Sequence, residues 1–489
     1  MTSSTPHRLL SVAQLRVAEA AAASALPAGT LMQRAGRAAA DALLARFAGP
    51  RRVLVLCGPG NNGGDGYETA CGLAQAGWPV TCVALAAPAT VDARAAAARW
   101  RASAGTVAMA LPTDLDRADL VLDAMFGIGL ARPLEGLFAE AATRLQPLRP
   151  RVVALDVPSG LNADTGAWVG GQPGVQAALT ITFIADKPGL HTRHGRDAAG
   201  EIMIADLGVA TADCVATLVQ PSDFPLLLRS RAQDSHKGQH GNVCVVGGAP
   251  GMAGAALLAA RAALRLGAGR VYAHLVGAPQ LTLDPCQPEL MLRPRDDLPA
   301  GVWVVGCGIG TDPAAAGWID HALRHAQSLV VDADALNLLA TDHALRKRFV
   351  SCAGSKVITP HPLEAARLLE RSAADVQDDR LASATELARE MNAIAVLKGS
   401  GTVIADPQGL WINPTGSPAL ATAGTGDVLA GMIGAFMAQC DDPAQAVRAA
   451  VWLHGAAGEG DGDVGLVASD LAMRAATRWR MLRLSRSAG

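Results

Sequence analysis

The feature that most narrows the fold is a recurrence of short apolar runs, each closing on glycine or a polar residue and most followed by a helix-like segment. RVLVLC (52–57), PVTCVAL (79–85), LVLDAMF (120–126), RVVALDVP (151–158) and ALTITFIA (178–185) fill the first half; NVCVVGG, RVYAHLV, WVVGCG, SLVVDAD, SKVITP and AIAVLKG fill the second. Unbroken apolar runs of this length read as strands buried on both faces, and their alternation with helices reads as the βαβ units of doubly wound parallel sheets. The glycine motifs differ in order and content between the halves, so the expectation is two α/β domains rather than two copies of one repeat. Between them, QPSDFPLLLRSRAQDSHKG carries Pro221, Pro225 and a charged, aperiodic tail, which places the boundary near Ser222 and the domains at 1–221 and 222–489. Ahead of the first strand, SVAQLRVAEAAAASA and LMQRAGRAAADALLARF read as packing helices, the second with Leu31, Ala35, Ala38 and Ala42 on one face.

Composition narrows the function classes. Forty-two Lys and Arg against 44 Asp and Glu leave a net charge of −2, so no global field draws the chain to nucleic acid or anionic lipid, and neither is expected as a partner. The nine cysteines, at 57, 71, 82, 214, 244, 286, 307, 352 and 440, form no CxxC or other metal spacing and read as small core residues in a reducing compartment. The opening MTSSTPHRLLSVAQLR has no signal-peptide core, and no apolar run is long enough to span a bilayer, so the cytoplasm is the expected location.

Ligands of open α/β sheets bind beyond the carboxyl ends of the strands, so the residues closing each run carry the function. The first run is followed by GPGNNGGDG, whose glycines bring backbone N–H groups to an anion while the next helix adds its dipole, although the stretch is not a GxGxxG fingerprint. LVLD ends on Asp123 and leads to GIGLARP, with Gly127 and Gly129; VVAL leads to Asp156, Pro158, Ser159 and Gly160. Asn62, Asp123 and Ser159 therefore converge, and their amide, carboxylate and hydroxyl oxygens suit a hard cation. A turn of left-handed residues is the competing reading of the glycine loop. Asp156 reads either as a cap or as a general acid or base. Lys187, in FIADKPG, is either a solvated lysine or a partner for phosphate.

In the second half, HKGQHGNVCVVGGAPGMAGAA presents Lys237, a strand and four glycines ahead of a helix, an arrangement open to an anion or a flat ligand. More specific is ATAGTGDVLAG: Gly424 and Gly426 leave a helix N-terminus bare to hold phosphoryl charge, and Asp427 in its first turn is placed to take a hydroxyl proton. The plain alternative is that Asp427 complements the helix dipole. KGSGT, Lys398 to Thr402, offers a cationic glycine-rich loop for a nucleotide tail, and TPHPLE brings His361 to another strand end.

Through LMQRAG, GPGNNGGDG, LDAMFGIGLARP, LDVPSGLNADTG and TFIADKPG, the first half resembles the NAD(P)HX epimerase domain. Through HKGQHGNVCVVGG, MAGAA, TPHPLE, LKGSGT and AGTGDVLAG, the second resembles the ADP-dependent NAD(P)HX dehydratase of the ribokinase-like fold. The resemblance, to bifunctional NAD(P)H-hydrate repair enzymes, covers nearly the whole chain. It implies an N-terminal Rossmann-like and a C-terminal ribokinase-like three-layer sandwich. It assigns Asn62, Asp123 and Ser159 to potassium. Asn61, Asn62, Gly63, Gly64 and Asp65, the loop Gly127, Ile128, Gly129, Leu130, Ala131, Arg132 and Pro133, and Asp156 then belong to the hydrated cofactor. In the second half Ala255, Gly310, His361 and Asp427 match substrate positions, while Lys398, Gly399, Ser400, Gly401 and Thr402, with Gly426, match the nucleotide site. The family often shows TPHPGE where this chain has Leu363 and GPGLG where it has GCGIG; neither change removes a side chain with a chemical role.

The resemblance implies that R- and S-NAD(P)HX are interconverted and that ADP drives dehydration of the S form, releasing AMP and phosphate. Asp427 is the expected base of the dehydratase and Asp156 the expected proton-transfer group of the epimerase. NADHX, NADPHX and ADP are the expected partners, K+ and, from nucleotide chemistry, Mg2+ the expected ions, and a homo-oligomer the expected assembly. Two rivals stand beside this reading: a ribokinase-like small-molecule kinase in the second half, and a non-catalytic Rossmann-like binding module in the first, a scaffold also used in RNA-associated proteins. The polar strand ends, and the lack of basic or aromatic stripes, weigh against the second rival.

Overall fold

The structure, a computed structural model, describes residues 6–460 and 462–487. It divides into two compact units, Arg8–Ala216 and the portion from Thr217 onward. A short strand, β1 (His7–Leu9), leads into helix Val12–Ser24, whose start is fixed by a reciprocal cap: Gln14 N–H donates to the Ser11 hydroxyl, and Ser11 N–H to the Gln14 side chain.

The N-terminal sheet contains β2 (Val53–Cys57), β3 (Val80–Ala84), β4 (Thr106–Ala108), β5 (Leu120–Ala124), β6 (Val152–Leu155), β7 (Leu179–Phe183) and β8 (Glu201–Ala205). Their order is β4-β3-β2-β5-β6-β7-β8, with every pair parallel. Val53, Val55 and Cys57 of β2 pack under helices Thr30–Arg46, Asn61–Gln75 and Val91–Ala102, while Leu54 and Leu56 face the layer of helix Leu137–Leu145. Alternate residues of one strand thus serve two layers, which is why the strand reads as an unbroken apolar run. The order reverses between β2 and β5, so the loops that follow these strands flank the crevice where such sheets bind ligands.

In the C-terminal unit the strands are β9 (Ala216–Leu218), β10 (Asn242–Gly247), β11 (Arg270–Leu275), β12 (Met291–Leu292), β13 (Val302–Val305), β14 (Ser328–Val331), β15 (Ser355–Ile358), β16 (Ile394–Leu397), β17 (Val403–Asp406) and β18 (Gly409–Ile412). They run in the order β9-β18-β17-β16-β15-β14-β13-β10-β11-β12. The sheet is parallel from β12 to β16; β16, β17 and β18 pair antiparallel, and β9 pairs β18 in parallel. Val243 and Val245 of β10 share a core with helices Ala253–Arg265, Thr425–Met437 and Pro443–Ala457. Gly431 lets two of these helices touch: a Cβ there would lie 2.0 Å from the Ala259 carbonyl oxygen. Among the described residues, no helix is long and apolar enough to cross a membrane.

Two details differ from the sequence reading. Helix Thr30–Arg46 buries Met32, Ala35, Gly36, Ala39, Ala40 and Leu43 rather than Leu31, Ala38 and Ala42, because it closes on helix Asn61–Gln75 through Gly36, where a Cβ would lie 2.1 Å from that of Glu68. Five of the cysteines are buried, but Cys214 and Cys286 are exposed rather than core residues.

Candidate active sites

The ends of β2, β5 and β6 assemble the first site. Register places Leu56 beside Asp123 and Cys57 beside Ala124. Gly58 then presses on the turn after β5, its N–H donating to the Ala124 carbonyl at 3.0 Å and its Cα leaving no room for a side chain against Met125. Asp123 is fully buried; its carboxylate accepts from the Ser159 hydroxyl (2.6 Å) and from the backbone N–H groups of Ser159 (2.7 Å) and Met125 (3.2 Å). Burial nonetheless pushes its carboxyl up to about 6, against the pull of these hydrogen bonds. Asn62, on the first turn of the next helix, is buried too, and among the described residues both its side-chain oxygen and nitrogen lack a partner. An orphaned buried amide is costly unless something fills its place. With a buried carboxyl and hydroxyl at the neighbouring strand ends, the donor set fits a hard, weakly hydrated cation such as potassium.

A cavity of about 740 Å3 opens over these strand ends, lined by Asn61, Asn62, Asp65, Gly127, Ile128, Gly129, Leu130, Asp156 and Lys187 among others. Asp156 follows β6 in left-handed backbone (φ 69°). Its carboxylate is fixed on both sides, 2.9 Å from the Lys187 ammonium and accepting the Ile128 N–H at 3.0 Å. Gly127 is needed there, since a Cβ would sit 2.3 Å from Asp156 Oδ2. Lys187 is 1% exposed and also donates to the Thr182 hydroxyl and the Phe183 and Ala185 carbonyls; it is a buried ion-pair partner rather than a solvated lysine. Gly63 and Gly64 serve packing, against the Gly58 carbonyl and the Met32 side chain. Ala131, Arg132 and Pro133 are exposed and lie outside the cavity lining.

The second site gathers the ends of β13, β14, β15 and β16 around the start of helix Thr425–Met437. Gly424 enters that helix with φ 88°, and no side chain caps it. Lys398, after β16, reaches across to Asp332, after β14, at 2.7 Å, and its ammonium would lie 3.4 Å from a Cβ at Gly426. Positive charge and bare helix N–H groups therefore face one point, as a phosphoryl group requires. Burial opposes charge on Lys398, but Asp332 and then Glu364 outweigh it and raise its pKa. Asp427 is pushed up to about 6, by burial first and Asp332 second, against a hydrogen bond from Cys307 and the charge of Lys398. Cys307 and the carboxylates of Asp332 and Asp427 lie within 4.8 Å of one another. Ala333, next to Asp332, is held at φ 50°, ψ −119°.

Around this centre, His361 caps helix Pro362–Leu368, its Nδ1 accepting from Leu363 and Glu364 N–H while Glu364 accepts from His361 N–H. Gly310 (φ 84°) donates its N–H to Asp334, and Ala255 packs near Gly308 in the same loop. The loop Lys398 to Thr402 is held from below by Arg380, 1% exposed, which donates to the carbonyls of Leu397, Lys398 and Gly401; Thr402 closes it on Gly399, and Ser400 is exposed. Lys237 stands apart: it is exposed and precedes β10, at the opposite edge of the sheet from these strand ends. Sequence reasoning passed over Asp332, Glu364 and Arg380 and gave Cys307 no role. Asp332 was findable, because VVDAD closes a strand on a carboxylate just as LVLD does.

A family model described as NAD(P)H-hydrate dehydratase matches residues 243–473, and one described as YjeF-related protein N-terminus matches residues 28–189. The chain is 39% identical over 472 residues to the bifunctional NAD(P)H-hydrate repair enzyme Nnr of Moorella thermoacetica, covering 89% of this chain and 88% of that protein. It is 37% identical over 495 residues to the enzyme of the same name from Escherichia coli, covering 96% and 93%. The crystal structure of an ADP/ATP-dependent NAD(P)H-hydrate dehydratase from Bacillus subtilis, co-crystallised with ATP and Mg2+, is similar at 33% identity and a TM-score of 0.46, over 52% of this chain and 94% of that one. Matched to relatives over nearly its whole length, the chain belongs to the family of bifunctional NAD(P)H-hydrate repair enzymes.

Proposed function

We propose that the protein repairs hydrated NADH and NADPH in the cytoplasm, with residues 1–221 interconverting the R and S hydrates and residues 222–489 dehydrating the S form with ADP. The observation that carries this reading is the pair of carboxylate–lysine centres, Asp156 with Lys187 and Asp332 with Lys398, each at the carboxyl edge of a parallel sheet. In the dehydratase, Asp427 takes the proton of the hydrate's hydroxyl as its oxygen attacks the terminal phosphoryl group of ADP and AMP leaves. Lys398 and the N–H groups at Gly426 hold the charge that develops on the phosphoryl oxygens. Phosphate then departs from the ring carbon while the adjacent carbon loses a proton, which restores the dihydropyridine. In the epimerase, Asp156 handles the proton of the same hydroxyl, oriented by Lys187 and the Ile128 N–H.

Asn62, Asp123 and Ser159 would hold K+, which supplies a fixed positive charge beside the dinucleotide site. Asp332 and Asp427 present the hard oxygens that Mg2+ arriving with the nucleotide would meet; the ion neutralises phosphate charge. Incubating the protein with a mixture of hydrated NADH epimers, ADP, Mg2+ and K+ should restore the absorbance of NADH from both forms. Asp427→Ala should abolish recovery. No recovery of either epimer by the wild-type chain would falsify the reading.

A further inference from the structure

We infer that Asp65 is a second catalytic residue of the epimerase site, the proton donor that complements Asp156; the inference rests on the epimerase reading above. Asp65 lines the same cavity as Asp156. It lies three residues beyond Asn62 in helix Asn61–Gln75, so the two share a face. The platform is rigid: a Cβ at Gly63 would lie 2.0 Å from the Gly58 carbonyl oxygen and one at Gly66 2.6 Å from Ala124 Cβ.

Asp65 combines this place on the helix of Asn62 with a side chain that has no structural task. Its main-chain carbonyl accepts from the Thr69 hydroxyl, but among the described residues its carboxyl makes no hydrogen bond and no ion pair. Three neighbouring carboxylates are engaged: Asp156 with Lys187, Asp123 with Ser159, Glu68 with Arg99. The groups that face Asp65 are acids, namely Asp156 from the loop after β6, Glu19 from helix Val12–Ser24 and Glu68 from its own helix; Arg16, Asp92 and Lys187 line the cavity as well. Burial, then these acids, raise its carboxyl well above the ordinary range, whereas the Asp156 carboxylate is ion-paired with Lys187. Two carboxyls in such different surroundings suit an acid and a base.

The chemistry needs both. The hydrated carbon bears a hydroxyl and the ring nitrogen, so it is a hemiaminal. Asp156 takes the hydroxyl proton; the C–O bond becomes C=O, the C–N bond breaks with its electron pair going to nitrogen, and nitrogen takes the proton of Asp65. Rotation about the adjacent C–C bond turns the aldehyde over. Nitrogen then adds to the other face and returns its proton to Asp65, while the oxygen recovers one from Asp156. No oxidant enters, and the proton count is unchanged. Without a donor the nitrogen would have to leave as an anion, which a single carboxylate base cannot prevent.

The test uses the full chain with hydrated NADH, ADP, Mg2+ and K+. Once the S form is consumed, the slow restoration of NADH from the R form reports epimerisation. Asp65→Asn should lower the R-form kcat by at least about a hundredfold, with KM within about threefold of wild type, and should remove the alkaline limb of the wild-type pH profile. Asp65→Glu should retain part of the rate, which a merely packing role would not allow. The inference is overturned if Asp65→Asn stays within about threefold of wild type, if the loss falls wholly on KM, or if Glu19→Gln carries it instead. Failure of the wild-type chain to consume the R form would sink the epimerase reading rather than this assignment.

Discussion

At the scale of single residues, both sites depend on carboxyls that burial has moved, and the direction of each shift predicts a pH response. As the proposed base, Asp427 must be ionised to accept a proton, and burial and Asp332 push its carboxyl up to about 6. The rate of S-form dehydration should therefore fall as pH drops through about 6, and Asp332→Asn should move that limb lower by removing the nearest like charge; kcat profiles of both proteins check this. Asp123 acts on stability instead. Its folded pKa of about 6 lies above the unfolded value, so the contribution is fully present at low pH and is lost as pH rises from about 4 to 6, a loss of about 3 kcal/mol. A cation on the ionised carboxylate offsets that loss. Potassium should then raise the melting temperature of the N-terminal unit more at pH 8 than at pH 5, and Asn62→Ala should shrink the gain. The convergence of Asn62, Asp123 and Ser159 was legible in the sequence because all three lie at or just beyond the carboxyl ends of strands. Arg380 was not: within RLASATELARE it reads as a solvated helix arginine, and only the tertiary fold brings it beneath the carbonyls of the Lys398 loop.

Among elements, the glycines of GPGNNGGDG serve contact between helix and sheet at least as much as contact with a ligand. Gly66 faces Ala124 Cβ at 2.6 Å and Val55 Cγ1 at 3.1 Å, measured from where its own Cβ would be. Gly66→Ala should cost about 1–3 kcal/mol through overpacking and lower the calorimetric melting temperature, although no polar group is lost. Strand positions were legible because β2, β5, β6, β7 and most C-terminal strands are buried on both faces. The face of helix Thr30–Arg46 was not, since alanines surround it and only the approach through Gly36 selects Met32 and Leu43. β4 and β12 span too few residues to show a pattern, and the β17–β18 hairpin turns on Pro407 and Gln408 within TVIADPQGLWI.

For the whole molecule, the carboxylates proposed as catalytic fall in separate units: Asp156 lies within Arg8–Ala216 and Asp427 beyond Thr217. The residues named above for the first site all lie within Arg8–Ala216, and those named for the second all lie beyond Thr217. Asp156→Asn should thus leave ADP-dependent consumption of S-NADHX at the wild-type rate, and Asp427→Asn should leave epimerisation intact. Mixing the two variants should restore complete repair, read as NADH recovered from both epimers. A failed mixture with active single halves would show that the intermediate does not pass between chains. The division into two α/β halves was legible from the strand rhythm and from glycine motifs that do not repeat.

Ala333 bears on how such a protein responds to selection for heat resistance. Its backbone, at φ 50° and ψ −119°, belongs to glycine, and an alanine held there costs about 1–3 kcal/mol. Glycine would relieve that strain, less about 0.4–1 kcal/mol of added unfolded-state entropy, so Ala333→Gly should raise the melting temperature of the C-terminal unit. It would also loosen the joint that aims Asp332 at Lys398. A screen that rewards survival on heating would enrich glycine at this position, and the survivors would be slower dehydratases.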